Sequence, residues 1–176
     1  MHPIAFEPLE KSVELYRALL PTAKECGVKI CTENLVGWDD EKKESFFATG
    51  ATPQSIVELL DTVNDPYLVA CLDIGHAEMR PAASGAPAMI HALGDRLQAL
   101  HLHDNDCCYD HHQLPLTMSI DYDAVLQALR EVKYKGDFTL EAVHYMLNKF
   151  TTETVADGLR TMATTARTLA NRFEQL

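Results

Sequence analysis

The sequence predicts an α/β fold built on a parallel sheet, and three observations predict it. Short apolar runs alternate with segments of helical spacing, which is the pattern of βαβ units. Each of four strand-like runs closes in a metal-ligand side chain: Glu33, Asp73, His101 or His103, and Glu141. The sharpest of them is Cys71-Leu72-Asp73-Ile74-Gly75-His76, where an apolar run over residues 67–72 stops in an aspartate. A glycine then turns the chain, and a histidine follows three residues after the aspartate. That arrangement presents a carboxylate and an imidazole together at the mouth of a parallel sheet, where α/β proteins place their chemistry.

The elements follow in order. Residues 9–26 carry Leu9, Val13, Tyr16, Leu19, Leu20 and Ala23 at helical spacing, with Pro21 as a bend or restart and Gly27 as the stop. Residues 28–32 form a short strand ahead of Glu33 and Asn34. Residues 37–50 read as a polar loop that holds Trp38. Thr52-Pro53 is a helix start, a cap residue followed by proline in the first turn, with Ile56, Val57, Leu59, Leu60 and Val63 inward. After the strand ending at Asp73, residues 81–85 are loop, residues 86–93 a short helix and residues 96–103 a third strand. Residues 104–119 form a long polar loop rich in Asp and His, a kind of loop that usually carries function. Asp121 caps a helix with Ala124, Val125, Leu129 and Val132 inward. Residues 137–142 are the fourth strand. Thr151 or Thr152 opens the last helix, with Val155, Leu159, Met162, Ala166, Leu169 and Phe173 inward.

At 176 residues the chain is long enough for one domain, residues 1–176, with a real core. The net charge of −11 argues against nucleic acid or anionic lipid as a partner. Five cysteines without regular spacing argue against a disulfide framework and for reduced thiols in the cytoplasm. The start, Met1-His2-Pro3-Ile4, lacks the basic flank and apolar core of a signal peptide, and no run approaches the length of a membrane span.

Two or three carboxylates with one imidazole suit Mn²⁺, Mg²⁺, Co²⁺ or Zn²⁺. Singly, each residue has a plainer reading: a glutamate after a strand is commonly a solvated turn residue or cap, and a histidine is commonly satisfied by a carbonyl. Four at equivalent places favour a site. The loop adds Asp104, Asp106, Asp110, His111 and His112, where an Asp-x-His pair suits a second metal or an oriented water. The thiols are poorer candidates, since Cys31 and Cys71 sit inside strands and Cys107-Cys108 lacks a CxxC partner.

Taken together, Thr32-Glu33-Asn34, Leu72-Asp73-Ile74-Gly75-His76, His101-Leu102-His103-Asp104-Asn105-Asp106, Asp110-His111-His112 and Thr139-Leu140-Glu141 resemble the xylose isomerase-like TIM-barrel superfamily. That superfamily includes sugar isomerases and epimerases and the endonuclease IV type of repair enzyme. The resemblance implies one divalent metal held by Glu33, Asp73, His101 and Glu141. His101 is taken from the family's His-x-x-Asp spacing, which His103 with Asp106 also fits. It further implies Glu33 and Glu141 as the catalytic carboxylates, His76, His103 and Asp104 as substrate contacts, and His2, His76, Asp110 and His112 as ligands of a second metal. The family's Leu-Pro-Gly-x-Gly loop reads Leu114-Pro115-Leu116-Thr117-Met118 here, and a position often held by glycine is Cys107.

A full barrel runs to about 250 residues. The resemblance therefore implies the C-terminal half of a barrel, about four parallel strands with flanking helices, which self-associates to cover its edges. The implied activity is that of a metal-dependent sugar isomerase or epimerase, moving a proton on a ketose-like substrate between carboxylates through a metal-stabilised enediolate. The alternatives are an endonuclease IV-like zinc phosphodiesterase and a catalytically inactive half-barrel module.

Overall fold

The computed structural model describes residues 8–80 and 84–176. Four strands form one parallel sheet: β1 (Ile30–Glu33), β4 (Leu68–Asp73), β5 (Leu97–Leu102) and β6 (Thr139–Leu140), in that spatial order. The connections run through α1 (Leu9–Glu25), which precedes β1, then α2 (Pro53–Val63), α3 (Ile74–Glu78), α4 (Ala86–Leu93) and α5 (Tyr122–Glu131). α6 (Val143–Lys149) and α7 (Val155–Gln175) close the chain. Among the described residues, no helix is long and apolar enough to cross a membrane.

Strand alternation divides the sheet into two faces. Leu68, Ala70 and Leu72 of β4, with Leu100 and Leu102 of β5, join Ile56, Leu59, Met89, Ile90, Leu93, Val125 and Leu129 of the helices in one buried core. The opposite face carries Cys31 and Glu33, Cys71 and Asp73, then His101, and β6 leads directly into Glu141. Burial of the first face against helices therefore aims the polar residues at the second.

Local chemistry explains most boundaries. Thr52 and Ser55 form a reciprocal capping box at the start of α2, and Asn64 ends that helix in the left-handed conformation. Asp121 caps α5 by accepting from the Asp123 and Ala124 amides. Pro21 does not restart α1: the helix is continuous and stops four residues later, so the ring costs one hydrogen bond on an exposed last turn.

The structure corrects several expectations. Residues 37–50 are not simply loop, because β2 (Val36–Asp39) and β3 (Glu44–Phe47) pair there as an antiparallel hairpin. The turn residues 40–43, with Lys43 at φ 56°, close it. Gly75 does not turn the chain; it lies inside α3, which Asp73 caps. The fourth strand is only two residues long, and α6 follows it where no helix is evident from the sequence. In α7, Leu169 is buried, but Val155 and Leu159 are 40% and 55% exposed. The first half of α7 packs against α6 through Gly158 and Met162, which leaves Val155 and Leu159 on its outer side.

The loop after β5 keeps the backbone shape of a glycine loop with other residues. Cys107 sits at φ 63° and Leu116 at φ 71°, both left-handed. For a residue with a Cβ this conformation costs about 1–2 kcal/mol. The Leu116 side chain is 39% exposed and gives up little on removal. Leu116→Gly is therefore expected to stabilise the fold by roughly 0.5 kcal/mol after the extra unfolded-state entropy of glycine. Denaturant melts of the two proteins check this, and a lower midpoint for the variant would refute it.

Candidate active site

The site forms where β1, β4, β5 and β6 end. β5 carries an extra residue opposite β4: Ala70 pairs with Leu97, but Cys71 pairs with Ala99. This irregularity puts His101 opposite Asp73; an unbroken register would put Leu100 there, facing the core. Beyond Glu33, the Asn34 side chain extends the sheet by mimicking a backbone pair. Its Nδ2 donates to the Asp73 carbonyl at 3.0 Å, and the Asp73 N–H donates to its Oδ1 at 2.7 Å. Asp73 is thus held on both sides of its Cα, and its Oδ1 accepts the His76 N–H at 2.7 Å.

The expected set Glu33, Asp73, His101 and Glu141 comes together, with one ligand atom of each within 4.8 Å of the others. His101 Nδ1 lies 2.9 Å from Glu33 Oε1 and 2.7 Å from Glu141 Oε2. A single ring nitrogen carries at most one hydrogen, and it points to Glu33. Glu141 Oε2 and Asp73 Oδ2 are left as buried oxygens without a hydrogen-bond donor. Carboxylate oxygens converging without donors, beside one imidazole, are a donor set that fits a hard or borderline divalent cation.

A second group joins His76, His103, Asp110 and His112, again with ligand atoms within 4.8 Å of each other. The Nδ1–H groups of His76 and His112 donate to backbone carbonyls, of Asn34 at 3.1 Å and Glu141 at 2.8 Å. Both Nε2 atoms are thereby aimed at Asp110 Oδ2, at 3.3 and 3.0 Å. A carbonyl fixing Nδ1 so that Nε2 projects into the site is how proteins orient metal-binding histidines. His103 bridges the groups: its Nε2 is 3.0 Å from Asp73 Oδ1 and 3.6 Å from Asp110 Oδ1. Its ring stacks on His112 with centroids 3.9 Å apart.

Two expected substrate contacts have other surroundings. The His103 side chain is fully buried, so it is not exposed to a substrate and instead belongs to the second group. Asp104 is equally buried and spends both oxygens on amides. Oδ1 accepts from Asn105 and Ile120 at 3.0 and 3.1 Å, and Oδ2 accepts from Thr117 and Met118 at 3.0 and 2.9 Å. It organises the loop that delivers Asp110 and His112. His2 lies outside the described residues. Cys71, a poorer candidate on sequence because it sits inside a strand, groups with Glu33 and His101. Its signal is its position two residues before Asp73, on the same face of β4.

The electrostatics follow from this crowding. Hydrogen bonding to Cys71 and Glu33 raises His101 to about 11 against its burial. Burial opposes the charge on His76, but Asp73 and Asp110 outweigh it and raise the group to about 10. His112 is likewise raised to about 9 against burial, by Asp110 and the Glu141 carbonyl. Asp110 is held well below the usual carboxylate range, since His112 and His76 overcome its burial. In metal-free protein the histidine contribution to stability is complete below about 6.5 and lost as pH rises through about 9–10. The Asp110 contribution is complete above the ordinary aspartate value and lost on acidification. Thermal melts with chelator are expected to fall on both sides of neutral pH. His76→Asn is expected to flatten the alkaline limb, and an alkaline limb of unchanged steepness in that variant would contradict this account.

A parallel sheet whose strand ends gather carboxylates and imidazoles has the layout of a TIM-barrel active site. The chain belongs to the xylose isomerase-like TIM barrel family, whose model matches residues 4–165. Among curated relatives, the uncharacterized protein y4fM of Sinorhizobium fredii is 29% identical over 138 residues, covering 78% of this chain and 40% of that protein. The uncharacterized protein MJ1311 of Methanocaldococcus jannaschii is 25% identical over 135 residues, covering 77% and 44%. Among solved structures, a D-tagatose 3-epimerase-like protein superposes with TM-score 0.65 at 22% identity, over 93% of this chain and 62% of its own. The D-allulose 3-epimerase from Methylomonas sp., in complex with D-allulose, superposes with TM-score 0.61 at 25% identity, over 79% and 43%. The chain thus spans less than half the length of these curated relatives.

Proposed function

We propose that the chain carries the active site of a metal-dependent sugar isomerase or epimerase acting on a ketose-like substrate. The observation that carries this reading is the pair of carboxylates, Glu33 and Glu141, that converge on His101 Nδ1 at 2.9 and 2.7 Å from different strand ends. Two carboxylates brought together at one position suit removal of a carbon-bound proton by one and its return by the other. The similarity to ketose 3-epimerases supports the substrate class.

In this reading Glu33, Asp73, His101 and Glu141 hold one divalent cation. When bound, the cation supplies Lewis acidity that polarises a carbonyl and its neighbouring hydroxyl and lowers the energy of the enediolate. The protein supplies the rest. Asn34 fixes Asp73 through its two hydrogen bonds, and His76 positions Asp110. Glu141, the most exposed carboxylate of the set, moves the proton to or from substrate, and Glu33 carries the opposite transfer. Incubating the protein with divalent metal and a panel of ketoses in deuterated water tests this. Deuterium is expected at the carbon next to the carbonyl, and absence of exchange with every ketose overturns the reading.

The grouping of His76, His103, Asp110 and His112 favours one other reading, an endonuclease IV-like zinc phosphodiesterase. Cleavage of an abasic-site oligonucleotide without ketose exchange would establish it. The net charge of −11 weighs against it, because a phosphodiester backbone is an anionic substrate.

We further infer that two copies of the chain associate. Val143 and Leu147 of α6, with Val155 and Leu159 of α7, are 44%, 72%, 40% and 55% exposed beside the β6 edge. Apolar side chains beside a sheet edge invite a partner. Sedimentation at micromolar concentration is expected to show a dimer, and Leu147→Lys with Leu159→Lys a monomer. A monomeric wild type would end this inference.

A further inference from the structure

The inner face of the sheet carries sulfur one pleat below Asp73 and level with Glu33. Glu33 and Cys71 are register partners on adjacent strands, and His101 stands on the next strand. Cys71 is buried and is a free thiol. One ligand atom each of Glu33, Cys71 and His101 lies within 4.8 Å of the other two. A tetrahedral cation with bonds of about 2.0–2.3 Å needs its ligands roughly 3.3–3.8 Å apart, so a small closure of three side chains makes the site. The donor set is one sulfur, one nitrogen and one carboxylate oxygen. It differs from the outer set, which is oxygen-rich and lacks sulfur.

We propose that Glu33, Cys71 and His101 form a second cation position, selective for thiophilic ions such as Cd²⁺ and Zn²⁺. It shares Glu33 and His101 with the outer position, so the two cannot be filled together. On coordination the Cys71 Sγ–H proton passes to solvent and the thiolate binds the ion. Mg²⁺ and Mn²⁺, which prefer oxygen, stay with the outer set. Strand pairing enforces the choice: β4 offers Asp73 to the outer position and Cys71, two residues earlier, to the inner one. The inner position stands apart from the sugar reading, because it needs only these three side chains.

Cadmium titration of the whole chain, with a phosphine reductant in place of thiols, tests the proposal. A near-ultraviolet thiolate-to-cadmium charge-transfer band is expected to saturate at one ion per chain and to displace bound Mn²⁺. Cys71→Ser is expected to lose the band. A variant with Cys26, Cys31, Cys107 and Cys108 all changed to Ser is expected to keep it. Glu141→Gln is expected to keep the band while binding Mn²⁺ more weakly, which separates the inner position from the outer. A full-strength band in folded Cys71→Ser overturns the proposal. Cadmium X-ray absorption on the wild-type protein needs no variant: one sulfur beside oxygen and nitrogen neighbours is expected, and none, or more than one, overturns it equally.

Discussion

Glu141→Gln is expected to lower ketose epimerisation or isomerisation by about 10²–10⁴-fold, the usual contribution of a general base. Substrate is expected still to bind, because Gln keeps an oxygen at the same place and Glu33, Asp73 and His101 remain. Solvent deuterium incorporation at the substrate carbon is expected to fall with turnover. The local structure keeps the substitution from disturbing the surrounding fold, and assay at saturating divalent metal offsets the weaker cation binding of a glutamine at this ligand position. The Glu141 backbone carbonyl, not its side chain, anchors His112 at 2.8 Å, so the second group stays assembled. The Glu141 N–H donates to the Leu102 carbonyl at 2.9 Å, so the chain path is also kept. Its Oε2 has no donor to lose. Unchanged exchange in folded Glu141→Gln would remove Glu141 from proton transfer.

Gly75→Ala is expected to destabilise the fold by about 3 kcal/mol, the upper end of the usual cost of overpacking. A Cβ on Gly75 falls 1.9 Å from His103 Cε1 and 2.3 Å from its Nε2. The imidazole has nowhere to go. It is stacked on His112, its Nε2 meets Asp73, and its backbone carbonyl accepts the Tyr122 hydroxyl at 2.8 Å. The damage is expected to reach both groups of ligands, since His103 lies between them. Adding His103→Ala to Gly75→Ala is expected to return part of the lost stability without returning function. Denaturant unfolding of the single and double variants measures this coupling. A Gly75→Ala protein as stable as wild type would show that the ring has room to move.

Much of the site was legible in the order of residues. A strand end puts the last side chain at the sheet's mouth, so four short apolar runs point to Glu33, Asp73, His101 or His103, and Glu141, and the structure brings Glu33, Asp73, His101 and Glu141 together. Parity does not separate His101 from His103, because the two lie two residues apart, one on β5 and one just past its end. The structure places His101 with the carboxylates and His103 with His76, Asp110 and His112, for a reason of depth: His103 is one pleat beyond the strand and wholly buried. Local signals with local causes read well, such as the Thr52 and Asp121 caps. The β2–β3 hairpin did not, because its strands are four residues long and lack a strong turn dipeptide.

Side-chain types, strand periodicity and caps, all properties of neighbouring residues, determined the parallel α/β sheet and which chemistry its strand ends would hold. Tertiary structure alone decided the rest, because each remaining point depends on a distance between segments far apart in the chain. The displaced register between β4 and β5 turns His101 rather than Leu100 toward Asp73. Packing against α3 makes Gly75 a contact for a buried ring rather than a turn. The four amides that converge on Asp104 convert an expected substrate contact into the organiser of its loop. Cys71 becomes a ligand candidate only when Glu33 and His101 arrive from the neighbouring strands, an encounter that no spacing within β4 encodes.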